Sequence, residues 1–252
     1  MENIKKIIAS FLQDYKNEDY FIGAILTGSY ATGNNDINSD IDIFIITKDS
    51  TPWRERGNRL IDGYMVEYFI NPLRQVVKEF DEGFATGNIA TTLMFAGSVI
   101  LRDTDGIVTG LVERAKSDLD KPVAPASGFK WNSNCYNVWH SFTQLDEKYI
   151  KGADIDFTYN IFLTNVISAH FSNRGIPGLS MHKIERILTD EQYRKKYNNA
   201  RLPEREFCEK LVKCFDEKDY HKKYLCAKEL YDYYMAQNSN FDINNYSFRS
   251  SI

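Results

Sequence analysis

Apolar residues open the chain at Ile4, Ile7, Ile8, Phe11, Leu12 and Tyr15, the spacing of one face of an amphipathic helix. The pattern then changes period. Tyr20 to Leu26 is a nearly unbroken apolar run and predicts a buried strand. Gly28-Ser29-Tyr30-Ala31-Thr32-Gly33 follows as a turn into a short helix. From Asp40 to Thr47 two acids, Asp40 and Asp42, are set into an otherwise apolar strand, and successive strand residues face opposite sides. Ile41, Ile43 and Ile45 therefore share one face, and Asp40 and Asp42 the other. Two more strands flank Gly63, the second running from Tyr64 to Ile70. Pro72 starts a helix through Phe80, because proline is tolerated in the first helical turn. A strand near 97–102 and a helix from Thr104 to Leu119 complete this part. Strands alternating with helices predict one sheet with helices packed on it.

The texture changes at Asp120-Lys121-Pro122-Val123-Ala124-Pro125-Ala126-Ser127-Gly128, where periodicity stops and a linker is expected. Beyond it every pattern is helical. Trp131, Cys135, Val138, Phe142, Leu145 and Tyr149 recur at four- and three-residue spacing. A second helix runs from about Asp156 to Ser172, and two more follow Pro203 and Asp219. In the last, Tyr220, Tyr224, Ala227, Tyr231 and Tyr234 repeat helically and read as core. The Asn/Ser-rich tail after Asn238 reads as loosely held. The expected fold class is α/β (α+β): a mixed-sheet domain over residues 1–120, then an all-α helical-bundle domain over 121–252.

Composition narrows the partners. No run of 18 apolar residues occurs, so no membrane span is expected. The opening helix lacks the apolar stretch and cleavage site of a signal peptide, which predicts a cytoplasmic protein. Net charge is -4, and basic residues are interleaved with acids. Nucleic-acid binding runs on phosphate neutralisation by clustered Lys and Arg, so no nucleic-acid partner is expected. Cys135, Cys208, Cys214 and Cys226 form no C-x-x-C pair and read as buried free thiols. His140, His170, His182 and His221 are scattered and read as packed or surface residues.

Chemistry enters with the acids. A carboxylate in an apolar strand is costly unless something pairs with it. Asp40 and Asp42 offer two hard oxygen ligands side by side, a donor set that suits Mg²⁺ shared with substrate phosphates. Gly28 and Ser29 supply a turn where a phosphate can approach the backbone and accept from the hydroxyl. Glu67 sits in the middle of Tyr64–Ile70, and three carboxylates converge if that strand neighbours the Asp40–Asp42 strand. Asp146 or Glu147 is a further candidate general base.

Gly28-Ser29, Asp40-x-Asp42 and Glu67 together resemble the signature of the DNA polymerase beta-type nucleotidyltransferase superfamily. The flavour is similar to the small nucleotidyltransferases acting on aminoglycosides or lincosamides. Leu93 to Gly106 resembles the strand and turn that close the catalytic domain there. Lys148-x-x-Lys151-Gly152 is loosely similar to a basic helix end that touches the triphosphate in some relatives. The resemblance implies a sheet domain that catalyses and a helical domain that binds the acceptor, with the acceptor between them. It implies Asp40, Asp42 and Glu67 as catalytic and metal-holding residues, and two Mg²⁺ ions. Gly28, Ser29, Lys148 and Lys151 would bind ATP or another nucleoside triphosphate. AMP would pass to a hydroxyl of a small molecule such as an antibiotic. Modification of a protein, an antitoxin-like role, and a non-catalytic nucleotide-binding module remain alternatives, and monomer and homodimer both stay open.

Overall fold

The computed structural model describes residues 2–197 and 200–247. The chain divides into two compact units. The first holds Met1–Pro122 together with Gln192–Asn199, and the second holds Val123–Glu191 and Ala200–Ile252.

The first unit is a five-stranded mixed sheet with helices on both faces. Its strands are β1 (Phe21–Thr27), β2 (Ile41–Thr47), β3 (Glu55–Ile61), β4 (Tyr64–Pro72) and β5 (Val99–Asp103). They lie in the order β3-β4-β2-β1-β5, with β2 and β4 parallel and the other neighbours antiparallel. The period-2 alternation of β2 decides what each face buries. Ile41, Ile43 and Ile45 pack with Ala24, Leu26, Val66 and Ile70 against Ile7, Ile8 and Phe11 of α1 (Glu2–Leu12). Ile25, Phe44 and Ile46 face the other way. They meet Val76 and Phe80 of α3 (Leu73–Thr86), Phe95 of α4 (Ala90–Ala96), and Val108 and Leu111 of α5 (Ile107–Asp118). A five-residue helix, α2 (Gly28–Thr32), leaves the end of β1.

The second unit is helical. Its elements are α6 (Gly128–Ile150), α7 (Asp156–Asn173), α8 (Met181–Thr189), α10 (Arg205–Asp216) and α11 (Tyr220–Gln237), and α9 (Glu191–Lys196) begins where this unit gives way to the first. Cys135, Val138, Phe142 and Leu145 of α6 form one core with Phe162, Val166, Phe207, Leu230 and Tyr234. The helical spacing seen in the sequence is thus the buried stripe. Tyr220 is the exception and stays 40% exposed.

Several expectations need correction. Leu93–Ala96 is helical, part of α4, and β5 starts only at Val99. The Thr91-Thr92 pair disguised that helix; burying Phe95 and Ala96 outweighs the weak helix propensity of threonine. α8 and α9 were not foreseen. The stretch after Pro122 is irregular but docked: Val123 is buried, and the Ala126 N–H donates to the Ser172 carbonyl at 2.9 Å. A Cβ on Gly175 (φ +64°) would stand 2.3 Å from the Val123 carbonyl oxygen, so the segment packs directly on that glycine. The tail is held as far as Tyr246, with Phe241 in the core and Tyr246 stacked on Tyr136 at 4.8 Å. Cys135 and Cys214 are buried, whereas Cys208 and Cys226 are half-buried; all four stand outside any disulfide.

Candidate active site

Strand pairing assembles the site. Thr27 of β1 pairs with Asp42 of β2, Asp42 with Glu67 of β4, and Glu67 with Asn58 of β3. These four residues form one row across the sheet, and directly opposed residues point to the same face. Asp40 lies just ahead of β2, two residues from Asp42 and so on the same side. One carboxylate oxygen from each of Asp40, Asp42 and Glu67 falls within 4.8 Å of the others. All three side chains are half-buried. Like charges this close repel by about 1 kcal/mol per pair in water and about 3.5 at an effective dielectric near 20. An uncompensated cluster is therefore unfavourable, and hard oxygen donors at this spacing fit a divalent cation.

The turn after β1 borders the acids directly. Gly28 has φ +68°, and a Cβ there would stand 1.9 Å from Asp42 Oδ2. Its lack of a side chain makes room for the Asp42 carboxylate itself, not only for a ligand. The Thr27 hydroxyl donates to the Met94 carbonyl at 2.8 Å and ties the end of β1 to α4. Ser29 is half-buried in α2, and its carbonyl accepts from the Asn34 N–H at 2.9 Å, closing the turn.

Two basic residues that sequence reasoning missed also meet these elements. Arg56 of β3 donates to Glu67 Oε1 through Nε at 3.2 Å and a terminal nitrogen at 2.6 Å. Its guanidinium also lies 4.7 Å above the Phe69 ring. The signal was present. Asp62-Gly63 between β3 and β4 is a two-residue turn with both φ positive, 48° and 83°, the geometry Asp-Gly favours in hairpins. Counting outward from it sets Asn58 opposite Glu67 and Arg56 diagonal to it. The other is Lys196 of α9, whose ammonium donates to the Gly33 carbonyl, the cap of α2, at 3.1 Å. Nothing local in the sequence links those positions.

The remaining candidates lie in the helical unit. Lys148 is in the last turn of α6 and Lys151 is its C-cap. The structure thus brings Gly28, Asp40, Asp42 and Glu67 together within one unit and places Lys148 and Lys151 in the other. Asp146 accepts from the Tyr224 hydroxyl at 2.7 Å, and Glu147 is exposed. Burial and that hydrogen bond push the Tyr224 hydroxyl up to about 12.

A five-stranded mixed sheet with a Gly-Ser turn and an Asp-x-Asp strand defines a class, and comparison with known families names it. Residues 4–81, the stretch that holds Gly28, Ser29, Asp40, Asp42 and Glu67, match the model of the nucleotidyltransferase domain. This part of the chain is thus similar to a nucleotidyltransferase domain, a domain that supports nucleotidyl transfer in general. Among solved structures, the chain is similar to a nucleotidyltransferase-like protein from Exiguobacterium sibiricum 255-15, with 10% identity and a TM-score of 0.41. That match covers 93% of this chain and 75% of the other. No curated protein matches. Among the described residues no helix is long and apolar enough to cross a membrane.

Proposed function

We propose that this protein transfers the nucleoside monophosphate of a nucleoside triphosphate, AMP from ATP in the first instance, to a hydroxyl of a small molecule. An aminoglycoside- or lincosamide-type antibiotic is the first acceptor class to try. The observation that carries the reading is the convergence of Asp40, Asp42 and Glu67 oxygens within 4.8 Å beside the Gly28 turn.

In this reading Asp40 and Asp42 hold Mg²⁺ and Glu67 completes the set. Bound Mg²⁺ supplies charge neutralisation on the phosphates and a lowered pKa for the attacking hydroxyl. The acceptor oxygen forms a bond to the α-phosphorus while the bond to the departing pyrophosphate breaks. Phosphoryl transfer asks the protein mainly for positioning and charge stabilisation, which fits a site made of a turn and three acids. The Gly28-Ser29 turn holds the phosphates, the Ser29 hydroxyl donating to one oxygen. Glu67, which stands in the acidic cluster with Asp40 and Asp42, is the carboxylate we assign to receive the hydroxyl proton. Lys148 and Lys151 are assigned to the triphosphate on resemblance alone.

The test is transfer of label from α-³²P-ATP, with Mg²⁺, to a panel of aminoglycosides, lincosamides and proteins. Label should appear on a small molecule with release of pyrophosphate, and Asp42→Asn should abolish it. Labelling of no small molecule in the panel, or an Asp42→Asn variant within threefold of wild type, would overturn the reading.

A further inference from the structure

Arg56 has no part in the chemistry above, yet it touches the acidic site directly. Its guanidinium gives two N–H donors to a single oxygen, Oε1 of Glu67. The Glu67 side chain is 21% exposed and the Arg56 side chain 69%.

Two properties make Arg56 a competitor and not a fixed strut. An ion pair with one largely exposed partner is weak, usually about 1 kcal/mol or less, so a cation can displace it. Its resting place is nevertheless well defined. The guanidinium lies over Phe69, Phe69 stacks on Phe44 at 5.8 Å, and Phe44 packs edge-on against Phe95 in the core. A cation that takes Glu67 Oε1 must remove two donors. One that takes Oε2 sits beside a positive charge.

Resting on the proposed function, we propose that Arg56 is a positioning residue that competes with divalent cation for Glu67. It keeps the site's affinity for cation alone low, so that cation is held well only when nucleotide phosphates contribute ligands. Metal occupancy is thereby tied to the arrival of the nucleotide. The ion pair with Glu67 is the contact through which Arg56 acts.

The experiment is direct titration of the full-length protein with Mn²⁺, free ion being read by electron paramagnetic resonance. The set is wild type, Arg56→Gln, Arg56→Lys, Glu67→Gln, Arg56→Gln in the Glu67→Gln background, and Asp42→Asn, each checked for fold by circular dichroism. Arg56→Gln should tighten Mn²⁺ binding by about threefold or more, because a like charge next to the ion is removed. Arg56→Lys should stay near wild type, since the charge remains. In the Glu67→Gln background the gain from Arg56→Gln should shrink, because the ion pair that competes with the cation is already gone and only the charge repulsion remains. With ATP added, the gain in Mn²⁺ affinity should be smaller in Arg56→Gln than in wild type. Unchanged or weaker Mn²⁺ binding by Arg56→Gln, with Asp42→Asn still strongly weakened, overturns this inference and leaves the proposed function standing. Wild type and Asp42→Asn binding Mn²⁺ equally poorly overturns both.

Discussion

Gly28 is the residue on which the site's geometry turns most sharply. The space its missing side chain would fill is occupied by Asp42 Oδ2, 1.9 Å from where a Cβ would stand. Its φ of +68° adds a backbone penalty for any other residue. Gly28→Ala should therefore cost about 1–3 kcal/mol of stability and push Asp42 off its position. Mn²⁺ affinity should fall at least as far as in Asp42→Asn; an alanine variant with wild-type Mn²⁺ binding would show that the turn yields without disturbing the acid. Asp40 carries the opposite expectation. Asp40→Asn relieves like-charge repulsion and removes no core contact, so without Mg²⁺ the variant should melt no lower than wild type, and higher by an amount set by about 1 kcal/mol or more. Differential scanning calorimetry in EDTA reads this, and a clear drop in melting temperature would mean that this carboxylate holds the fold.

At the scale of elements, α7 and α10 are joined through a buried imidazole. His170 of α7 is 1% exposed and stacks on Phe207 of α10 at 3.8 Å. Its Nε2 lies 2.8 Å from Glu204, the N-cap of α10, and Arg174 holds the other Glu204 oxygen at 2.7 Å. Burial lowers the His170 pKa, and the Glu204 contact opposes this without reversing it. For Glu204 burial works upward, but its own backbone N–H and His170 outweigh it and the pKa is lowered. Both groups are thus depressed on folding, and both act in the same direction. Their contribution is complete above the ordinary imidazole value of about 6.5 and is lost as pH falls through the lowered folded values. Melting temperature should fall by several degrees between pH 7.5 and 5.5, and His170→Gln should flatten that dependence whatever it does to stability at neutral pH. A wild-type profile already flat in this window would refute the assignment.

At the scale of the molecule, the first compact unit is not one stretch of chain. It takes Gln192–Asn199 from within the helical half, and Lys196 there caps α2 through the Gly33 carbonyl. A fragment ending at Pro122 keeps all five strands and all three carboxylates but loses that cap. It should show the sheet signature by circular dichroism, melt several degrees below the full chain, and still bind Mn²⁺, because β2, β4 and the Gly28 turn that position Asp40, Asp42 and Glu67 all lie within it. A folded fragment that binds no Mn²⁺ would mean that the acidic site needs residues beyond Pro122.

Local pattern by itself determined the faces of the elements. A strand has period two, so Ile41, Ile43 and Ile45 had to share a side and Asp40 and Asp42 the other. A helix has period 3.6, so the apolar stripes of α1, α6 and α11 were visible before any contact was known. The Gly28-Ser29 turn and the Asp-x-Asp strand were legible for the same reason, as residues close in sequence. What only the tertiary structure decided is which elements become neighbours. Glu67 meets Asp42 because β4 docks parallel to β2, and that register is set by long-range packing of Val66, Tyr68 and Ile70 with the β2 isoleucines and not by any local signal. The helix α4 forms because Phe95 and Ala96 are buried there, against the leaning of the threonines. The clearance of Gly28 over Asp42 and the reach of Lys196 to Gly33 join residues whose separation in sequence carries no period, whereas the hold of Arg56 on Glu67 follows from the Asp62-Gly63 hairpin register. Such contacts exist only once the sheet has closed its register and the core has fixed the distances between its helices.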